Sequence, residues 1–100
     1  MPSLQIHRLA QQEFLDALEW YAEQGAASDV LDDFVAQYDD SLLHVCEWPL
    51  HGAPHLLGTR RLQLQRFPHG LIYRVREETV YVIALAHPKQ RPGYWKDREF

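Results

Sequence analysis

The chain has 100 residues, 46% hydrophobic and 24% charged, which excludes a disordered polyelectrolyte and allows one domain, 1–100, around a single modest core. Its net charge of −4 hides a split: residues 1–50 hold one basic residue, Arg8, against ten acidic ones, and residues 51–100 hold nine basic against four acidic. Cys46 is the only cysteine, so no internal disulfide forms, and no apolar run approaches the roughly eighteen residues of a membrane span.

Leu4-Gln5-Ile6-His7-Arg8 alternates apolar and polar residues, which predicts a first strand. From Ala10 to Gln24 the period becomes helical. Phe14, Ala17, Leu18 and Tyr21 share one stripe, while Glu13, Asp16, Glu19 and Glu23 lie largely away from it. Gly25 closes that helix, and Ser28 is the expected N-cap of the next, with Asp29 and Asp32 in its first turn. Leu31, Val35, Tyr38, Leu42 and Val45 continue at helical spacing until Pro49. Two acidic helices joined by a short link predict a helical hairpin. Trp20 sits off the apolar stripe, which marks the hairpin as a possible contact surface for a homodimer or a hetero-oligomer.

Residues 49–58 are a loop by composition. Three strands follow: Arg61–Gln65, Leu71–Arg76 and the apolar run Val80–Ala86, joined by Arg66-Phe67-Pro68-His69-Gly70 and by Glu77-Glu78. Such short connections predict an antiparallel meander. The most apolar strand belongs at the centre with the first strand beside it, in the spatial order second, third, fourth, first. The fold class is therefore α+β, β-α-α-β-β-β, with the helical hairpin on one face of a small, mostly antiparallel four-stranded sheet.

The apolar last strand stops at His87-Pro88 and delivers Lys89, Arg91, Tyr94, Trp95, Lys96 and Arg98 to the edge of the sheet. Pro88 and Pro92 keep this tail from continuing the ladder. Clustered cations and rings suit an anionic or acidic partner. Each residue also has a plainer role: His87 as a cap of the strand end, Arg74 as a structural ion pair, Tyr94 and Trp95 as a cover for the core edge. Trp95 fits that cover better than a binding role. His44, Cys46, His51 and His55 cluster in sequence, but Gly52 and Pro54 interrupt them and one thiol is too few for structural zinc. Neither a metal nor a cofactor is expected.

The order of elements and their punctuation resembles the RelE/ParE toxin superfamily of bacterial type II toxin–antitoxin modules. The likeness rests on Arg60-Arg61 opening the second strand, Arg66-Phe67-Pro68 before Tyr73-Arg74-Val75, and His87 followed by Arg91-Pro92-Gly93-Tyr94-Trp95 and Arg98. It implies a cytoplasmic toxin, in keeping with an N-terminus that has no signal-peptide pattern. It also implies a cognate antitoxin whose C-terminal segment wraps the toxin; the basic second half and an open sheet edge predict that this segment is acidic and amphipathic, covers Arg61, Arg74 and Arg76 and adds contacts along the sheet edge as a strand or a helix. Some members are ribosome-dependent mRNA endoribonucleases; ParE-like members, associated with plasmid stabilisation, poison DNA gyrase without hydrolysis.

Metal-independent RNA cleavage needs a base, an acid and a cation for the developing phosphorane. The candidates for that alternative are His87, Arg66, Arg74, Arg91 and Tyr94. The chain departs from both nuclease patterns, however. It has no carboxylate between Glu47 and Glu77, it carries Gly70 where one branch has an arginine, and Lys89 and Lys96 are its only lysines. The favoured reading is a ParE-like, non-hydrolytic toxin, binding target or antitoxin through Arg60, Arg61, Arg74, Arg76, Lys89, Arg91, Tyr94, Trp95 and Arg98. The alternatives are the nuclease and a non-toxic interaction module of the same fold.

Overall fold

The computed structural model describes residues 3–100. β1 (Ser3–Ile6) leads into α1 (Arg8–Glu23) and α2 (Ser28–Glu47); β2 (Ala53–Pro54), a 3-10 turn at Leu56–Gly58, β3 (Arg60–Gln63), β4 (Gly70–Arg76) and β5 (Thr79–Ala86) follow. The first strand is shorter than its alternation suggests because His7 turns away to cap α1, its Nδ1 accepting from the Leu9 amide at 3.0 Å. Ser28 is the first residue of α2 rather than its cap; Ala27 holds the cap position without a side-chain bond. The helix stops before Pro49, where Trp48 is already out of helical geometry.

The sheet has five strands in the order β1-β5-β4-β3-β2. The expected order of the four longer strands holds, with the apolar β5 between β1 and β4. The count differs by β2, whose Ala53 and Pro54 pair antiparallel with Arg61 and Arg60 inside the segment expected to be loop. Pro54 lacks an amide donor, and an outermost strand tolerates that loss. β1 runs parallel to β5, from Ser3↔Thr79 to Ile6↔Val82. β3 ends at Gln63, two residues early, although the Leu64 amide still donates to the His69 carbonyl at 3.0 Å.

The helices cover one sheet face. Phe14 stacks on Tyr38 with ring centroids 4.1 Å apart, and Phe34 meets Phe67 edge-on at 4.9 Å. These rings close over Leu71, Tyr73, Val80, Val82 and Leu85 from the sheet. Aromatic pairs at such separations add roughly 0.5–1.5 kcal/mol each beyond their area burial. The opposite face carries a smaller cluster of Ile72, Ile83, Ala84, Ala86 and Trp95. A bulge builds it: Ile72 pairs with Ala84 but Tyr73 pairs with Val82, so Ile83 is skipped and joins Ala84 on the helix-free face.

Candidate target-binding face

Strand alternation sorts the arginines. Arg60 shares the helix side with its cross-strand partner Tyr73, and its guanidinium is held by the Leu50 and Gly52 carbonyls at 3.1 and 2.8 Å. Arg61, paired with Ile72, lies on the helix-free face. Arg74 and Arg76 share that face, two residues apart on β4. Gly70 makes room there: a side chain on it would collide with the Arg61 guanidinium, which lies flat against the strand. The residue that departs from the nuclease pattern is thus the one that seats a neighbouring arginine.

Arg61, Arg74 and Arg76 rim the apolar patch around Ile72 and Ala84, and Trp95 roofs it at 3% exposure. Arg61 hydrogen-bonds Gln63 Oε1 at 3.1 Å, and Arg74 donates to the Leu57 carbonyl at 2.9 Å. His55 stands near Trp95, ring centroids 6.1 Å apart; burial and the nearby Arg61 charge lower its pKa. Among the described residues only two ion pairs form, Arg66–Asp33 and Arg98–Glu13. The three rim arginines, with Lys89 and Arg91 on the exposed tail, have no acidic partner within the described chain.

The other candidate residues are held elsewhere. Arg98 donates from Nη1 and Nη2 to the two Glu13 oxygens at 2.8 and 3.1 Å, and Nη1 also reaches the Ile83 carbonyl at 3.0 Å. Glu13 Oε1 in turn accepts from the Leu85 amide at 3.1 Å. β1 ends opposite Val82, so Ile83 and Leu85 present edge groups with no strand beyond them. The Glu13–Arg98 pair satisfies both and seals the edge. The Tyr94 hydroxyl donates to Glu13 Oε2, and burial with this bond pushes its pKa up. Glu13 was placed off the apolar stripe by periodicity; it sits beside Ala10 and Ala17 at the stripe's border, the one signal that hinted at burial.

His87 accepts the Lys89 amide at Nδ1, 3.1 Å, while its own amide donates to Gln90 Oε1 at 2.8 Å, so it caps the turn after β5. Arg66 is drawn to the helix side by Asp33 at 2.7 Å. Arg66, Arg74, His87 and Tyr94 are therefore each engaged by a different partner: Asp33, the Leu57 carbonyl, the Lys89 amide and Glu13. Arg74 makes no ion pair with the acidic hairpin. Of the clustered histidines, His44 Nε2 and His51 Nδ1 meet, whereas Cys46 is buried. No group of three or more metal-binding side chains gathers among the described residues.

His69 carried no sequence signal beyond its place in a turn. It is buried between Phe34, Tyr21 and His87, ring centroids 5.5, 6.3 and 5.2 Å away. Its Nδ1 is buried without a hydrogen-bond partner. Burial first, then the His87 and Arg61 charges, lower its pKa to about 4, against an opposing pull from Glu13.

A sheet covered on one face by two helices is a fold shared with toxins of toxin–antitoxin systems. The family "ParE toxin of type II toxin-antitoxin system, parDE" matches residues 4–92. The chain belongs to this ParE toxin family, within the RelE/ParE superfamily, and is a ParE-type toxin of a type II toxin–antitoxin system. Its fold is similar to that in the chromosomal ParDE system from P. aeruginosa, with a TM-score of 0.74 at 19% identity over 87% of this chain and 96% of the other. The intact E. coli RelBE toxin–antitoxin complex gives 0.59 at 21% identity over 90% and 100%. A mutant of E. coli toxin RelE in the free state gives 0.58 at 22% over 88% and 84%. No curated protein matches the sequence. Among the described residues no helix is long and apolar enough to cross a membrane.

Proposed function

We propose that this toxin arrests growth by binding its target rather than by hydrolysis, with DNA gyrase as the target and the rim of Arg61, Arg74 and Arg76 as the contact surface. The observation that carries this reading is that both proton-transfer candidates, His87 and Tyr94, are engaged in structural hydrogen bonds. His87 caps a turn, Tyr94 is bonded to Glu13 with a raised pKa, and Arg66 is tied to α2. Three arginines on one face, free of acidic partners within the described chain, suit an anionic or acidic surface and need no turnover. A cognate antitoxin neutralises the toxin in the cytoplasm; it offers an acidic, amphipathic segment to the same rim. Charge complementarity speeds that association and apolar anchors set its lifetime.

The test pairs a proton-transfer variant with a charge variant. His87→Gln keeps size and hydrogen bonding but removes the imidazole as a proton donor or acceptor; losing an acid–base group costs a nuclease about 10²–10⁴-fold in rate. Growth arrest and inhibition of gyrase supercoiling are expected to persist in His87→Gln and to fall sharply in Arg61→Ala/Arg74→Ala. Ribosome-dependent mRNA cleavage by the intact chain, lost in His87→Gln, would replace this reading with the RelE-type endoribonuclease. An intact chain that neither arrests growth nor inhibits gyrase would leave a non-toxic interaction module.

A further inference from the structure

The last turn of α2 and the loop behind it bring two imidazoles together, and the toxin's binding face uses neither. His44 Nε2 and His51 Nδ1 stand 2.5 Å apart, with ring centroids 4.7 Å apart. The backbone that carries them is tied at each step. The Trp48 amide donates to the His44 carbonyl, and the His51 amide donates to the Trp48 carbonyl. Beyond them Arg60 holds the Leu50 and Gly52 carbonyls, and the Tyr73 hydroxyl accepts from the Gly52 amide and donates to Pro49 O. The pair stands between two concavities: one of about 250 Å³ that Asp40 and Ser41 help to wall, and one of about 580 Å³ walled by Glu47, Trp48 and Leu50. α2 carries six carboxylates and no lysine or arginine. Neither Asp40 nor Glu47 is in an ion pair among the described residues. The C-terminal end of the helix adds the negative pole of its dipole at the same place.

We infer that His44 and His51 form a binding site for a borderline divalent metal ion, of the class of Zn²⁺, Ni²⁺ and Cu²⁺, held by His44 Nε2 and His51 Nδ1. Imidazole nitrogen is a ligand that suits these ions. In the free chain one of the two facing nitrogens donates a hydrogen bond to the other; an ion takes the place of that proton, which leaves to solvent. With metal–nitrogen bonds of about 2.0–2.1 Å, a tetrahedral ion sets its two nitrogens roughly 3.3 Å apart. The rings must therefore separate by about 0.8 Å, and rotation of the exposed His51 side chain supplies that. Cys46 is buried, and no third ligating side chain joins the pair among the described residues. Water therefore completes the coordination, with room for it in the concavities on either side. Asp40 and Glu47 favour the cation through their charge rather than as ligands. Hard ions such as Mg²⁺ and Ca²⁺ take oxygen ligands and do not suit the site. A bound ion staples the loop that presents Trp48 and Leu50 to the end of α2.

The probe is Zn²⁺, titrated calorimetrically into the full-length chain, free of any histidine tag and of chelators, with Ni²⁺ and Mg²⁺ alongside. Zn²⁺ and Ni²⁺ are expected to bind at one ion per chain, and Mg²⁺ not at all. His44→Gln and His51→Gln are each expected to weaken Zn²⁺ binding at least about tenfold, because loss of a group that only supports a ligand already costs about 10–100-fold. Both variants are expected to keep the wild-type melting temperature without metal. Zn²⁺ should raise the melting temperature of the wild type and of neither variant. His55→Gln removes an imidazole of the same segment whose ring stands beside Trp95 instead, and is expected to keep wild-type affinity. In the wild type, Ni²⁺ should broaden the ring resonances of His44 and His51 before those of His7, His55, His69 and His87. Absence of Zn²⁺ and Ni²⁺ binding at millimolar concentration overturns the site. So does wild-type affinity in both His44→Gln and His51→Gln, or broadening that begins at another histidine.

Discussion

His69 makes the stability of this toxin depend on pH in a window that can be worked out from its surroundings. Its imidazole is buried among Tyr21, Phe34 and His87, and its pKa falls from 6.5 to about 4. In the unfolded chain the ring takes up a proton as pH drops below 6.5; in the folded chain it resists until about 4. Protons therefore favour the unfolded state across that interval. The contribution is fully present above pH 6.5 and is lost as pH falls toward 4. With these two values the loss is about 2 kcal/mol at pH 5 and about 3 kcal/mol at pH 4. Those losses are a large share of the roughly 5–15 kcal/mol that holds a small domain together. Urea denaturation of the wild type and of His69→Phe at pH 7.5 and pH 5 isolates the effect. The phenyl ring shifts the absolute stability of both measurements alike, and the difference between the two pH values reports the titration. The wild type is expected to lose about 2 kcal/mol more than the variant. Equal losses in the two proteins would refute the assignment and place the acid sensitivity on other groups.

Glu13→Gln keeps the shape of the edge seal but leaves Arg98 without its anion, a change expected to cost about 3 kcal/mol in chemical denaturation; the Tyr94 phenol should then titrate at lower pH in near-UV absorbance. Gly52→Ala sets a methyl 2.6 Å from the Tyr73 hydroxyl, and the fully buried ring cannot retreat; a loss of about 2 kcal/mol is expected by thermal denaturation. Gly70→Ala instead displaces only the far end of a long side chain, the Arg61 guanidinium, so stability is expected to hold within about 1 kcal/mol by thermal denaturation while partner binding through the proposed rim weakens.

Periodicity was a sound guide wherever one face of an element is buried and the other is wet. Phe14, Tyr38 and Val45 announce their faces by spacing alone, and the apolarity of Val80–Ala86 places that strand inside the sheet; Phe34, fully buried in the core, falls outside the stripe that the spacing predicts. Two kinds of feature stayed hidden. A two-residue strand such as Ala53–Pro54 is too short to show a period, and its proline reads as loop. Polar residues that complete the backbone's hydrogen bonding are invisible to any measure of hydrophobicity: Glu13 reads as one more solvated carboxylate until β1 is seen to stop short of Leu85. The same applies to the candidate site. Arg61, Arg74 and Arg76 fall on one side of the sheet by strand alternation, but only the fold separates Arg60, Arg66 and Arg98, which the chain uses to hold itself together.

The parallel pairing of β1 with β5 has a consequence for how the toxin comes into being. Ser3 meets Thr79, and Glu13 meets Arg98, so the two ends of the chain complete each other. A ribosome extends the chain from its N-terminus at about 5–20 residues per second. For most of that time the acidic helices exist without the strand they pack on, and β1 has nothing to pair with. The arginine rim acquires its roof only after Trp95 has emerged, and the open edge of β5 is sealed only by Arg98. Contacts so distant in sequence form late. The nascent chain thus stays unfinished until Trp95 and Arg98 have emerged, so its arginine face is complete only after both helices and every strand have been made.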